Sequence, residues 1–188
     1  MPLSTKVTRI APALKKRAAK IKVVLMDVDG TLTDGSVTLL SQPDGSALEI
    51  KTFDAHDGQG ISLARTAGLR MGVITGRESA ALRRRMKELN VEFVHEKQPH
   101  KIAAYEEVLR KSGASEDEVA YLGDDLPDLT VMRRVGLAVA VANAAPEVKH
   151  VAHYVTARPG GKGAARELVE LILKSKGTWE EMIDRARA

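Results

Sequence analysis

The chain has 188 residues, 44% hydrophobic and 29% charged, with a formal net charge of +4, the composition of one globular domain whose mild charge suits small anions better than nucleic acid. With no cysteine, one Trp, three Tyr and two Phe, it excludes a disulfide framework and a thiolate metal site, and it leaves few platforms for stacking bases. No apolar run is long enough for a membrane span or a signal peptide, so the expectation is a cytoplasmic protein without nucleic acid or membrane as partner.

Residues 1–20 form a basic segment without a continuous apolar stretch. From there, strand-like runs are expected at Ile21–Met26, Leu69–Ile74, Glu92–Val94, Val119–Leu122, Ala138–Val141 and around Tyr154. Helical periodicity is expected over Gln59–Thr66, Glu78–Leu89, Lys101–Lys111, Leu126–Arg133, Ala145–His150 and Ala164–Ser175. Ser115 with Glu118 and Thr178 with Glu181 have the spacing of capping boxes and mark further helix starts. Short apolar strands alternating with amphipathic helices predict an α/β fold, a Rossmann-like three-layer parallel sheet with helices on both faces. One segment breaks the alternation: β-prone arms on either side of Pro43, Asp44 and Gly45 predict a β-hairpin over residues 36–52. An isolated hairpin is marginal in water, so this one needs a partner surface. No linker or repeat divides the chain, and 1–188 reads as one domain with a C-terminal tail and helix over 157–188.

The chemistry lies where strands end. In an open α/β sheet, ligands bind outside the carboxyl ends of the strands. Asp27 and Asp29 follow the first predicted strand, Thr75, Gly76 and Arg77 the second, and Asp124, Asp125 and Asp128 the fourth. Each motif alone is common in solvated turns or helix caps, but the three together converge on one edge. A carboxylate-lined site with neither Cys nor His at these strand ends favours Mg²⁺ over zinc, and Mg²⁺ favours phosphate. Lys101 stands near a helix start, where the helix dipole disfavours a cation; a phosphoryl group among carboxylates needs one. Leu82, Met86 and Leu89 make a buried helix stripe that leaves Arg83 and Arg84 on a solvated face. His95 and His100 read as loop histidines rather than metal ligands.

The stretches "DVDGTLTDG", "VITGR" and "GDDLPD", with Lys101, resemble the four motifs of haloacid dehalogenase-like hydrolases, in the same order. From about Ile21 to Thr178 the chain is similar to the subgroup containing 3-deoxy-D-manno-octulosonate 8-phosphate phosphatase, in which a hairpin stands in place of a cap. The resemblance implies a Mg²⁺-dependent phosphomonoesterase: Asp27 as nucleophile, Asp29 as general acid and base, and Thr75, Gly76 and Lys101 on the phosphoryl oxygens. It further implies that Asp27, Asp124 and the main-chain carbonyl of Asp29 hold Mg²⁺, with Asp128 in support through water or by orienting Lys101. Asp54, His56, Asp57, Gly58, Arg77 and Arg85 are implied as substrate contacts. So are Lys162 and Arg166, on a tail that reaches a neighbour's site in a homotetramer. The chain departs from the subgroup at His56 in place of Arg, at Ser62 in place of a basic residue and in the stretch "HEKQPH" before Lys101, so a different sugar or acylneuraminate phosphate is a second expectation. A phosphomutase would need an enclosing cap; a phospho-accepting receiver module would carry its acceptor after a middle strand. An idle oligomeric homologue fits poorly with motif positions that are all chemically intact.

Overall fold

The computed structural model describes residues 10–187, with side chains through Arg185; the first nine residues of the basic segment lie outside the described residues. Helix α1 (Pro12–Lys20) leads into strand β1 (Val23–Met26). The ribbon β2 (Thr38–Ser41) and β3 (Ala47–Ile50) follows, then α2 (Ala55–Thr66), β4 (Arg70–Ile74), α3 (Ala80–Glu88), β5 (Phe93–His95) and α4 (Ile102–Ser112). The second half holds β6 (Val119–Gly123), α5 (Leu129–Met132), β7 (Leu137–Ala140), α6 (Pro146–Val151), β8 (Tyr154–Val155), α7 (Ala164–Lys176) and α8 (Trp179–Arg187).

The six strands of the main sheet run in the order β5-β4-β1-β6-β7-β8, all neighbours parallel. Every residue of β1, β6 and β7 is buried, as expected of strands covered on both faces. The order moves one way from β1 through β4 to β5, then returns across β1 to β6. Right-handed crossovers therefore set α2 and α3 on one face and α4, α5 and α6 on the other, and α4 with α5, and α5 with α6, pack together. Helix α7 packs against α1 and α2 and buries Leu168, Val169, Ile172 and Leu173. The C-terminal region is thus part of the core of its own chain.

The ribbon pairs Thr38 with Ile50 and Ser41 with Ala47 in a sheet of its own. Val37, Leu39, Leu40, Leu48 and Ile50 are all exposed, Leu39 by 60%. Four details differ from the sequence expectation. Helix α1 was not foreseen, although Pro12 stands in its first turn, where a missing N–H costs nothing. Helix α2 starts four residues before Gln59 because the Asp54 carboxylate accepts hydrogen bonds from the N–H groups of His56 (2.6 Å) and Asp57 (3.2 Å). The helix expected over Leu126–Arg133 divides into a 3-10 turn, Leu126–Asp128, and α5. The capping box of Ser115 and Glu118 forms on a 3-10 turn, Glu116–Glu118, rather than on an α-helix.

Candidate active site

Parallel register brings the ends of β4, β1 and β6 side by side, with Met26 opposite Val73 on one flank and Leu122 on the other. Asp27 continues this pattern, its N–H donating to Leu122 O (2.9 Å). Thr75 leaves β4 while still donating to His95 O (2.9 Å), and Asp124 leaves β6. Three residues expected from the sequence thus reach one edge: Asp27, Thr75 and Asp124.

Lys101 enters from the N-terminus of α4 and is the positive centre of the site. Its Nζ lies 2.6 Å from Asp27 Oδ1, 2.7 Å from Asp128 Oδ1 and 3.2 Å from the Tyr121 hydroxyl, and its side chain is 3% exposed. Burial alone would push the ammonium down, but Asp128 and Asp27 more than offset it, and its pKa is raised. Asp128 is fully engaged. Its Oδ1 accepts from Lys101 and from the Tyr121 hydroxyl (2.8 Å), and its Oδ2 accepts the N–H groups of Asp124 (2.9 Å) and Asp125 (3.2 Å).

The loop after β1 is shaped by its glycine. Gly30 has φ of +96°, and a Cβ there would overlap Asp124 Oδ2. Thr31 donates its hydroxyl to Asp124 Oδ1 (2.8 Å). From behind, Gly160 and Gly161 press on Gly30, Thr31 and Thr33, and the Gly161 N–H donates to Thr31 O (2.9 Å). The acidic loop is therefore held by backbone on one side and by the Asp124 carboxylate on the other.

Asp27, Asp124 and Asp128 offer carboxylate oxygens within 4.8 Å of one another. Burial pushes the Asp27 carboxyl up to about 6, against the pull of Lys101. Burial likewise pushes Asp124 up to about 7, with Asp27 and Asp128 adding to the rise and the Thr31 hydroxyl opposing it. An all-oxygen donor set in which Asp27 and Asp124 resist ionising together is what a hard divalent cation relieves. The residues present fit Mg²⁺.

The remaining expected residues divide. Asp29 faces the ribbon, where it is paired with Lys51, and its Oδ2 is 4.0 Å from Arg77 Nε. Arg77 also pairs with Glu49 of β3. Gly58 leaves room on α2 for the Arg85 guanidinium, whose Nη2 a Cβ would overlap. The Arg85 Nε is buried without a hydrogen-bond partner. Gly76 lies beside Pro99, at the turn that carries the chain towards Lys101. Three others have partners of their own within the chain. Asp54 caps α2. Asp57 is buried and accepts the N–H groups of Gly163 (3.1 Å) and Arg166 (2.9 Å), tying α2 to the start of α7. Arg166 turns to Glu170 (2.8 Å) and to the face of Trp179, 5.3 Å from its centroid, within its own chain. His56 and Lys162 are exposed. Sequence reasoning missed Thr31, Lys51 and Tyr121; the only signal for Tyr121 was one hydroxyl in an otherwise apolar strand.

A parallel α/β sheet carrying an acidic cluster and a buried lysine at its carboxyl edge defines a phosphate-handling hydrolase class, and the comparisons agree. The model of one family, described as haloacid dehalogenase-like hydrolase, matches residues 90–168. The 3-deoxy-D-manno-octulosonate 8-phosphate phosphatase KdsC of Yersinia pestis is 39% identical over 171 residues, 91% of this chain and 89% of the relative. The protein of the same name from Escherichia coli K12 is 38% identical over 88% of this chain and 86% of its own. The chain belongs to the haloacid dehalogenase-like hydrolase family. Among solved structures, a probable phosphatase from Pseudomonas syringae pv. phaseolica superposes with a TM-score of 0.88 at 44% identity, covering 95% of this chain and 99% of the other. The 3-deoxy-D-manno-octulosonate 8-phosphate phosphatase of Moraxella catarrhalis, solved with magnesium, phosphate and KDO, superposes with a TM-score of 0.86 at 36% identity, covering 92% and 97%.

Proposed function

We propose that this protein is a Mg²⁺-dependent phosphomonoesterase that hydrolyses 3-deoxy-D-manno-octulosonate 8-phosphate through an aspartyl-phosphate intermediate on Asp27. The observation that carries the reading is the buried contact of Lys101 with Asp27 at 2.6 Å. It puts a cation beside a carboxylate at the place where a phosphoryl group would have to arrive. Asp27, Asp124 and the main-chain carbonyl of Asp29 would hold Mg²⁺, which when bound neutralises the carboxylates and draws electron density from phosphorus.

The chain's own groups then act in sequence. Asp27 attacks phosphorus, and the bond to the ester oxygen breaks as Asp29 delivers a proton to that oxygen. Water then attacks the aspartyl phosphate, giving its proton back to Asp29, and phosphate leaves. Lys101 and Thr75 bind the phosphoryl oxygens, and Asp128 with Tyr121 keeps Lys101 aimed. Arg77, paired with Glu49 of the ribbon, and Arg85, beside Gly58 of α2, serve as contacts for the acid end of the sugar. His56, exposed on the first turn of α2, favours a second reading in which another sugar-acid phosphate is preferred. The active form is a homotetramer assembled through the ribbons, and its place is the cytoplasm.

The test is phosphate release from a panel of sugar-acid phosphates with Mg²⁺ and with chelator, on the full chain and on Asp27→Asn. The expected result is turnover that chelator abolishes and a loss on the order of a thousandfold or more in the variant, measured before any slow deamidation. Turnover that survives chelator, or an Asp27→Asn protein of wild-type rate, overturns the reading.

A further inference from the structure

Among the described residues, Lys51 is the one cation paired with Asp29 that the motifs do not announce. It follows β3 directly, at the foot of the ribbon. Leu48 and Ile50 of the ribbon are exposed, yet the Lys51 side chain is only 3% exposed. The ammonium pairs with Asp29 Oδ1, and the next carboxylate, Glu49 Oε1, is 3.6 Å away. An ammonium with so little access to water is held by its carboxylate partners or not at all. For Asp29 the contact has a directional result. Oδ1 is occupied, whereas Oδ2 has Arg77 Nε at 4.0 Å, too far for a hydrogen bond.

On the reading that Asp29 is the general acid, we infer that Lys51 is its positioning residue. The clamp on Oδ1 stops the carboxyl from turning and leaves Oδ2 to carry the proton. When the phosphorus–oxygen bond of the substrate breaks, that proton passes to the ester oxygen and its electron pair stays on Asp29. The charge so formed sits against the Lys51 ammonium. Because Lys51 is nearly excluded from solvent, it acts through Asp29 and not by touching the substrate's own acid group. The ribbon, otherwise an exposed pair of strands, thereby contributes to the chemical step.

The need for a general acid depends on the leaving group, which separates this role from a structural one. A nitrophenolate departs without help; an alkoxide does not. The experiment compares kcat/KM, which reports transfer to Asp27, for p-nitrophenyl phosphate, an uncharged alkyl phosphate such as ethyl phosphate, and 3-deoxy-D-manno-octulosonate 8-phosphate. All are measured with Mg²⁺ on the full chain and on Lys51→Met. The expected result is a fall of about a hundredfold for the alkyl and sugar-acid phosphates, with p-nitrophenyl phosphate within about threefold of wild type. Lys51→Arg should recover part of the alkyl phosphate rate. Equal losses on all three substrates, no loss, or a loss confined to the sugar-acid phosphate overturns the inference. Should Lys51→Met fail to fold, a second comparison decides: adding Lys51→Met to Asp29→Asn removes both charges. If Lys51 acts through Asp29, the double variant matches Asp29→Asn on ethyl phosphate; a further drop of tenfold or so overturns the inference. Failure of the wild-type chain to turn over any of the three would instead reject the phosphatase reading itself.

Discussion

Asp27 and Asp124 show how one environment prepares two carboxyl groups for a metal. Both are held up by burial, to about 6 and about 7 from 3.8. A carboxyl whose pKa is higher in the folded chain binds protons more tightly there, so its stabilising effect is complete below the ordinary carboxylate range and is lost as pH rises through 6 and 7. Through these two groups the metal-free protein loses stability between pH 5.5 and pH 8, and its melting temperature should fall accordingly. Mg²⁺ competes with those protons, so the rise in Tm on adding it should be larger at pH 8; a shift equal at both values would contradict the assignment. Gly30 gives a second test at the same scale. With φ of +96° and a Cβ overlapping Asp124 Oδ2, Gly30→Ala has to displace that carboxylate. The Mg²⁺ concentration for half-maximal activity should rise by about ten- to a hundredfold, read from a metal titration of phosphate release. The acidic motifs and Lys101 were legible because their types and spacing are unusual for strand ends. Lys51 and Tyr121 were not: their meaning depends on partners that the fold brings in from 22 and 20 residues away, Asp29 and Lys101 respectively.

At the scale of elements, the strands were the most readable, since β1, β6 and β7 are buried throughout and read as continuous apolar runs. Their observed ends fall within two residues of the expected ones. Helix starts were harder. Gly58 and Gly60 lower the helical signal over the first turns of α2, and the start is set instead by the Asp54 side chain. That predicts a cost for Asp54→Ala of about 1 kcal/mol, seen as a drop in Tm of roughly 2–4 °C with the substrate KM unchanged. A large rise in KM without a change in Tm would return Asp54 to the role of substrate contact. Asp57 has a similar lesson. In the sequence it looks like part of a substrate loop, but in the fold it fastens α2 to α7 through two backbone N–H groups. Helix α1 escaped notice because its basic residues mask a short apolar face, of which Ala18 is fully buried.

For the whole molecule, the sheet order explains why one edge holds all the chemistry: the strand sequence reverses at β1, and Asp27 stands at that reversal. Assembly is the other property of this scale. If copies meet through their ribbons, Leu39→Glu should lower the mass seen by light scattering while leaving far-UV circular dichroism intact; an unchanged mass would place the interface elsewhere. The two sheets differ in how they end. The main one closes with strands of three residues at β5 and two at β8, edges too short to template another chain. The ribbon has two outer edges without a partner strand among the described residues, and it presents Leu39, Leu40, Leu48 and Ile50 to water. Such a surface invites strand addition and, left bare, the growth of fibres. Whatever covers the ribbon in the cell thus also guards the chain against aggregation.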